Sequence, residues 1–406
     1  MRQGQLALDN SGHLVAGRFY LQEMSLSIAR RALWALRLYA EGTLACSLHA
    51  CERRSWERVG IMPDPYGLRR VLSPAGAMPQ PAERLDNSPV CLDDEVLIDV
   101  ELLNIDAASF GQIKSVTGAD EAAVAQHMQA LVAARGKHHN PVTGSGGMLI
   151  GRVREIGPAS SKRGELRPGD RIATLVSLTL TPLAISAIDA VDLQTGQVRI
   201  RGTAILFDSG ICVKLPEDLP ERVALAVCDV CGAPAQVARL VKPGQTVAVL
   251  GAGGKSGLMV LAQARRNLGA SGTLIGFEYA EKAAESVRQL DVADHVVVCD
   301  VRDPVATLEH ANRITDGALA DVAINCVSVP GTELATILIT RQRGVVYFFS
   351  MATSFSQAAL GAEGVGKDVD LMIGNGYAHG HAELAFDLMR ETPKLRQLFA
   401  GKVGLA

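Results

Sequence analysis

The chain lacks the marks of several protein classes. It has no excess of positive charge. Lys and Arg total 40 against 43 Asp and Glu, a formal net charge of −3, so there is no electrostatic footprint for nucleic acid. No apolar run crosses a bilayer's thickness before arginine or a polar residue interrupts it. The eight cysteines (46, 51, 91, 212, 228, 231, 299 and 326) have no framework spacing. They read as reduced core thiols of a cytoplasmic protein. Cys228 and Cys231 form one C-x-x-C, but no second pair completes a zinc set, and 228–231 reads as helix. Internal repeats and low-complexity segments are absent as well.

What remains is an ordinary globular composition, 48% hydrophobic and 20% charged over 406 residues, enough for two or three domains. Forty glycines imply tight turns and close backbone approaches. Residues 1–61 differ from the rest, with eight arginines, five acids, no lysine and both tryptophans. They are expected to be a poorly ordered extension, or the product of a start codon placed too far upstream. The folded chain would then begin at Met62.

Residues 62–235 read as a β-rich catalytic domain. "EVLIDVELLNI" alternates as a strand does, and "MLIGRVREIG", "LRPGDRIATLV" and "AILFDSGICVKLP" supply three more. From Gln236 strands alternate with helices: 246–250, 273–278, 295–299, 321–327, 344–350 and a sixth near 368–373. This is the rhythm of a doubly wound parallel sheet spanning 236–378. A last helix is expected over 380–397, within a C-terminal segment 379–406.

The loop Gly251-Ala252-Gly253-Gly254-Lys255-Ser256-Gly257 joins the first of these strands to its helix. A diphosphate must approach the backbone closely there, and the amides of the helix N-terminus face its charge. Counted from Gly251, the third glycine of G-x-G-x-x-G fails at Ser256. Counted back from Gly257, the loop reads Ala252-x-Gly254-x-x-Gly257, a variant of the same turn. A phosphate-binding NTPase loop would need glycine where Val249 stands. Glu278 ends the second strand, 21 residues after Gly257. An acid there accepts hydrogen bonds from the adenosine ribose and favours NAD, with NADP not excluded.

A β-rich domain followed by this unit, with "VKPGQTVAVLGAGGKSGL" and "LRPGDRIA", resembles the medium-chain dehydrogenase/reductase superfamily from about Glu95 to Met389. The resemblance implies an α/β fold: a Rossmann doubly wound parallel sheet plus a β-rich GroES-like barrel domain. It also implies a metal-independent branch. Asp106 stands where zinc members carry a Cys ligand, and Gly147 and Met148 replace their His and Glu. "NPVTGSGGMLIG", "LVSLTLTPL", "FFSMATSFSQAALGAEGVGKDVD" and "IGNGYAHGHAEL" are similar to the L-erythro-3,5-diaminohexanoate dehydrogenase family of bacterial lysine fermentation, over roughly residues 64–400. That likeness implies NAD-dependent oxidative deamination of a small diamino acid, with a homodimer as the default by analogy. A zinc-free enoyl or quinone reductase and a non-catalytic cofactor-binding protein are the alternatives.

Oxidising an amine requires its deprotonation before hydride leaves, by a carboxylate or His. Asp106 is a candidate, or a turn former at a strand end. Asp229 is a second, or a structural Asp on a helix. His138 and His139 are further candidates because His titrates near neutrality, or they are surface loop residues. Glu363 and Lys367 could hold an amine and the substrate carboxylate, or lie in a solvated loop. Thr143, Ser145, Ser350 and Thr353 could donate to a carboxylate or carboxamide, or only cap backbone.

Overall fold

A computed structural model of the chain describes residues 63–405 apart from residue 375. The expectations for residues 1–61 therefore lie outside the described residues.

The first strands, β1 (Val71–Ser73) and β2 (Arg84–Leu85), pair as a short antiparallel ribbon. A six-stranded antiparallel sheet follows: β3 (Glu95–Asn104), β4 (Met148–Ile156), β5 (Arg171–Thr174), β6 (Leu183–Asp192), β7 (Gln197–Phe207) and β8 (Cys212–Lys214). Its order is β6-β7-β3-β4-β5-β8. Central β3 is paired on both sides, and Val96, Ile98, Val100 and Leu103 are buried in the core. The expected single strand "AILFDSGICVKLP" is two strands. The carboxylate of Asp208 accepts from Ser160 Oγ and the Ser161 amide, which fixes a turn between β7 and β8.

Two helices that the sequence did not announce by periodicity separate β3 from β4: α1 (Ala107–Thr117) and α2 (Glu121–Arg135). Their signals are local. Asp106 caps α1 by accepting from the Ser109 amide, and Asp120 caps α2 by accepting from Ala123. Gly118 and Gly136 end them in the left-handed region, at φ 66° and 67°. Ile113, Met128 and Val132 then pack onto the sheet core.

Next come α3 (Glu221–Cys228) and α4 (Gly232–Leu240). The expected helix across 228–231 is instead a break: α3 stops at Cys228 and α4 starts at Gly232. A Cβ on Gly232 would lie 2.2 Å from the Gly376 carbonyl oxygen. Both thiols are buried, which pushes them up, Cys231 to about 12.

The alternating part reads β9 (Thr246–Leu250), α5 (Lys255–Leu268), β10 (Thr273–Glu278), α6 (Glu281–Leu290), β11 (His295–Val298), α7 (Pro304–Thr315), β12 (Ala320–Asn325), α8 (Glu333–Leu338), β13 (Thr340–Phe348), α9 (Phe355–Gly364) and β14 (Asp370–Ile373). All its strand pairs are parallel, in the order β11-β10-β9-β12-β13-β14. Numbered within the sheet this is 3-2-1-4-5-6, the dinucleotide-binding order. The fold class is thus α/β, a doubly wound parallel sheet beside a β-rich antiparallel one. The single helix expected over 380–397 is two, α10 (His381–Glu391) and α11 (Pro393–Lys402). Pro393 forces the break, because its ring excludes helical geometry at Thr392.

Arg70 anchors the ribbon to the antiparallel sheet. It is 2% exposed and holds Glu95, also 2% exposed, through Nε–Oε1 at 2.9 Å and Nη2–Oε2 at 2.6 Å. The carbonyls of Ser88 and Val90 and the Ser88 hydroxyl accept its remaining protons. Removing one member strands the other charge in the interior, at about 3–5 kcal/mol. Arg70→Leu is therefore expected to lower the urea unfolding free energy by that amount; a loss under about 1 kcal/mol would show that the pair is not an anchor.

Candidate functional site

The strand order reverses between β9 and β12, and a crevice at such a point accepts ligands. The turn after β9 is built for a close approach. Gly251 has φ +73°, and a Cβ on Gly257 would lie 2.2 Å from the Gly251 carbonyl oxygen. A Cβ on Gly253 would meet the Ala283 carbonyl oxygen at 2.4 Å. Gly254 differs: the nearest atom to its Cβ, the Gly251 oxygen, is 3.5 Å away. It is also the N-cap of α5, and no side chain caps that end. The first amides of a helix have no intrahelical partner, so Lys255, Ser256 and Gly257 present theirs to an anion beside Gly254. Gly251, Gly253 and Gly257 are packing glycines, and Gly254 leaves room for the ligand. Ala252 is buried beneath them. This cradle fits a dinucleotide diphosphate.

Glu278, at the end of β10, supports the loop. Its Oε2 accepts from the Gly253 amide at 2.8 Å and its Oε1 from the Tyr279 amide. Lys402, on α11, donates to the Gly253 carbonyl at 3.0 Å. One glycine is thus gripped from both sides. Burial lowers the Lys402 ammonium from its ordinary range, and the neighbouring Glu278 charge opposes that.

A cleft of about 350 Å³ has α5 on one side and the end of β3 on the other. Asp106, Asp229 and Lys255 all line it, with Lys114, Arg222 and Lys402. Asp229, at the C-cap of α3, is ion-paired with Lys255 at 2.6 Å. Asp106 has two roles built into one carboxylate. Oδ1 caps α1, while Oδ2 is shielded from solvent with no hydrogen-bond partner among the described residues.

Ser109, three residues on, was not singled out by sequence, although the Asp-x-x-Ser spacing of the cap was there to read. Its fully buried hydroxyl lies 2.7 Å from both Thr143 Oγ1 and Ser145 Oγ, which are 3.1 Å from each other. Thr143 and Ser145 therefore brace α1 behind Asp106. His138 is fully buried and feels the Asp106 charge, yet neither ring nitrogen has a hydrogen-bond partner among the described residues. Complete burial pushes it down to about 4, with the Asp106 charge opposing. It is not a surface loop histidine. At about 4 the imidazole is neutral at pH 7 but too weak a base to hold a proton there, which departs from the expectation of a group titrating near neutrality. His139 is half-buried and lowered by burial and by Lys137 and Arg135.

The other expected residues lie elsewhere. Lys367 Nζ donates to the Thr340 carbonyl at 2.6 Å, at the start of β13 and so at the opposite end of the sheet from the crevice. Glu363 is exposed near the end of α9. Neither lines the cleft. Ser350 and Thr353 follow β13 at the carboxyl edge of the sheet, where Ser350 Oγ accepts from the Ala352 amide and the Thr353 amide donates to the Ser350 carbonyl. Among the described residues no three His, Cys, Asp or Glu converge to hold a metal ion.

Gly254→Ala and Gly257→Ala separate these roles. Gly254→Ala should leave thermal stability within about 1 kcal/mol, the ordinary scale for glycine replacement. It should weaken dinucleotide binding at least about 10-fold by fluorescence titration, roughly 1.4 kcal/mol of binding free energy. Gly257→Ala should lower stability as well. Equal dinucleotide affinity in Gly254→Ala and the parent would dismiss the cradle.

Residues 69–216 match the family described as the L-erythro-3,5-diaminohexanoate dehydrogenase N-terminal domain. The chain is 48% identical over 334 residues to L-erythro-3,5-diaminohexanoate dehydrogenase of Acetoanaerobium sticklandii, covering 82% of this chain and 97% of that one. Identity and coverage are the same for the enzyme of that name from Fusobacterium nucleatum. Among solved structures, a Pseudomonas syringae quinone oxidoreductase aligns with TM-score 0.49 at 17% identity, over 78% of this chain and 89% of that one. Near-complete coverage at close to half identity settles the kinship: the chain belongs to the L-erythro-3,5-diaminohexanoate dehydrogenase family.

Proposed function

We propose that the protein oxidatively deaminates L-erythro-3,5-diaminohexanoate with NAD, giving 5-amino-3-oxohexanoate, ammonium and NADH. The observation that carries this reading is one cleft with Asp106, whose Oδ2 has no hydrogen-bond partner among the described residues, on one wall and the glycine loop's helix on the other, in a chain of this family.

The nicotinamide, when bound, supplies the hydride acceptor. The chain's residues prepare the substrate. An ammonium cannot expel hydride, so Asp106 takes a proton from the C3 ammonium. Loss of hydride from C3 leaves an iminium, and water then adds and displaces ammonia, which departs as ammonium. Asp106 is held still for this by its cap to Ser109, and Ser109 by Thr143 and Ser145. Neutral His138 behind Asp106 adds no competing charge. Asp229 is positioned to hold the second ammonium, exchanging with Lys255 as partner. Glu278 favours NAD by repelling a 2′-phosphate.

No single helix among the described residues is long and apolar enough to cross a membrane, which accords with a cytoplasmic enzyme. A homodimer joined at the β14 edge completes the reading. β14 ends the sheet order, and Met351, Phe355 and Ile373 nearby are 94%, 65% and 55% exposed, which suits an edge that is covered in solution.

Purified protein should form NADH from NAD and L-erythro-3,5-diaminohexanoate. Quinone reduction with NADPH in its place would favour the reductase alternative. Asp106→Asn keeps the Oδ1 acceptor that caps α1 and should cut kcat about 100-fold or more without changing the fold; parent-like kinetics would remove Asp106 from the mechanism. Light scattering on a size-exclusion column should give twice the chain mass, and a monomer at micromolar concentration would exclude the dimer.

A further inference from the structure

Four cations line the cleft: Lys114, Arg222, Lys255 and Lys402. Three already have partners. Lys114 donates to the Leu193 carbonyl at 3.2 Å and lies 5.3 Å from the Phe110 ring centroid. Lys255 is paired with Asp229 at 2.6 Å, and Lys402 donates to the Gly253 carbonyl. Arg222 is the exception. Among the described residues it makes no hydrogen bond and no ion pair, although it sits in the first turn of α3 beside acids. Glu221, its neighbour, is held by Arg171 at 2.5 Å. The Asp192 carboxylate accepts from the Gln194 and Thr195 amides, and Arg222 acts on it only through its field.

The wall near Arg222 is built by a fixed hairpin. The turn between β6 and β7 places Gln194, Thr195 and Gln197 in the cleft. The Gly196 carbonyl accepts from the Ile105 amide at 3.0 Å, and Leu193 holds Lys114, so the turn is fixed against the β3–α1 junction that carries Asp106. Arg222 is solvent-exposed and lines the same cleft as this fixed polar turn, and a guanidinium with no protein partner has two parallel donors free, the geometry that matches a carboxylate.

We propose that Arg222 is the carboxylate anchor that makes the site selective for a diamino acid over a simple diamine. The proposal rests on the function argued above. In that substrate the carboxylate is separated from the reacting carbon by a single methylene, so it must be held in the same cleft as Asp106. Lys367, the cation expected from sequence, is committed to Thr340 at the far end of the sheet.

The test compares the parent with Arg222→Gln and Arg222→Lys in the full chain, using two substrates. One is L-erythro-3,5-diaminohexanoate. The other is 2,4-diaminopentane, the same 1,3-diamine without its carboxylate. Losing a charge-assisted bidentate pair should raise KM for the diamino acid about 10- to 100-fold, with kcat within about threefold and KM for NAD unchanged. The parent should prefer the diamino acid over the diamine by a similar factor, Arg222→Gln should lose the preference, and Arg222→Lys should regain part of it. An unchanged KM for the diamino acid in Arg222→Gln, an equal loss on both substrates, or a rise confined to NAD would overturn the anchor while leaving the reaction intact. A parent enzyme that forms no NADH from the diamino acid would instead overturn the reaction, and the anchor with it.

Discussion

The site depends on one close approach, that of α5 to the turn after β9. Only a residue without a Cβ fits at 257, because the Gly251 carbonyl already occupies that space. This packing sets where the helix begins, and hence where its free amides point. It also sets the reach of Lys255, whose ammonium meets Asp229 at the end of α3. Glu278 and Lys402 then hold Gly253 from β10 and α11. Three segments remote in sequence are positioned by one steric fact.

The opposite wall follows a different logic. β3 is buried along nearly its whole length and delivers Asp106 at its end. The same carboxylate then starts α1, so the residue facing the cleft cannot move without uncapping a helix. Two buried polar groups left without partners among the described residues, Asp106 Oδ2 and the His138 ring, lie at this junction. Unsatisfied polar atoms in an interior cost free energy. Their concentration at the end of β3 fits a region shaped for a ligand more than for stability.

The parallel half was legible because its strands are short, apolar and bounded by glycine or acid, and because the glycine register admits one consistent alignment. Gly257 rather than Ser256 is indeed the residue packed against the turn. The antiparallel half was less legible. α1 and α2 are rich in alanine and small residues, which blurs helical periodicity, and only their Asp and Gly ends announced them. β6 is half-exposed along much of its length, so its alternation was weak. Site residues followed the same division. Asp106, Asp229 and Lys255 could be placed in one cleft from their positions relative to strand and helix ends. Lys367 could not be excluded, because its distance from the cleft is set by which end of β13 it joins. Arg222 left no local signal, since its role comes from lacking a partner, which only tertiary structure reveals.

The charge of the cleft bears on the order in which ligands arrive. Four cations and two carboxylates line it, so its field attracts the anionic diphosphate. The substrate carries one carboxylate and two ammonium groups and is repelled by the same field. Fields of this kind act on encounter rates over about a Debye length. Once the diphosphate lies on α5, its charge offsets the lysines, and the cleft becomes hospitable to a cation. On the proposed function, such a lining favours the dinucleotide arriving before the amine that it oxidises.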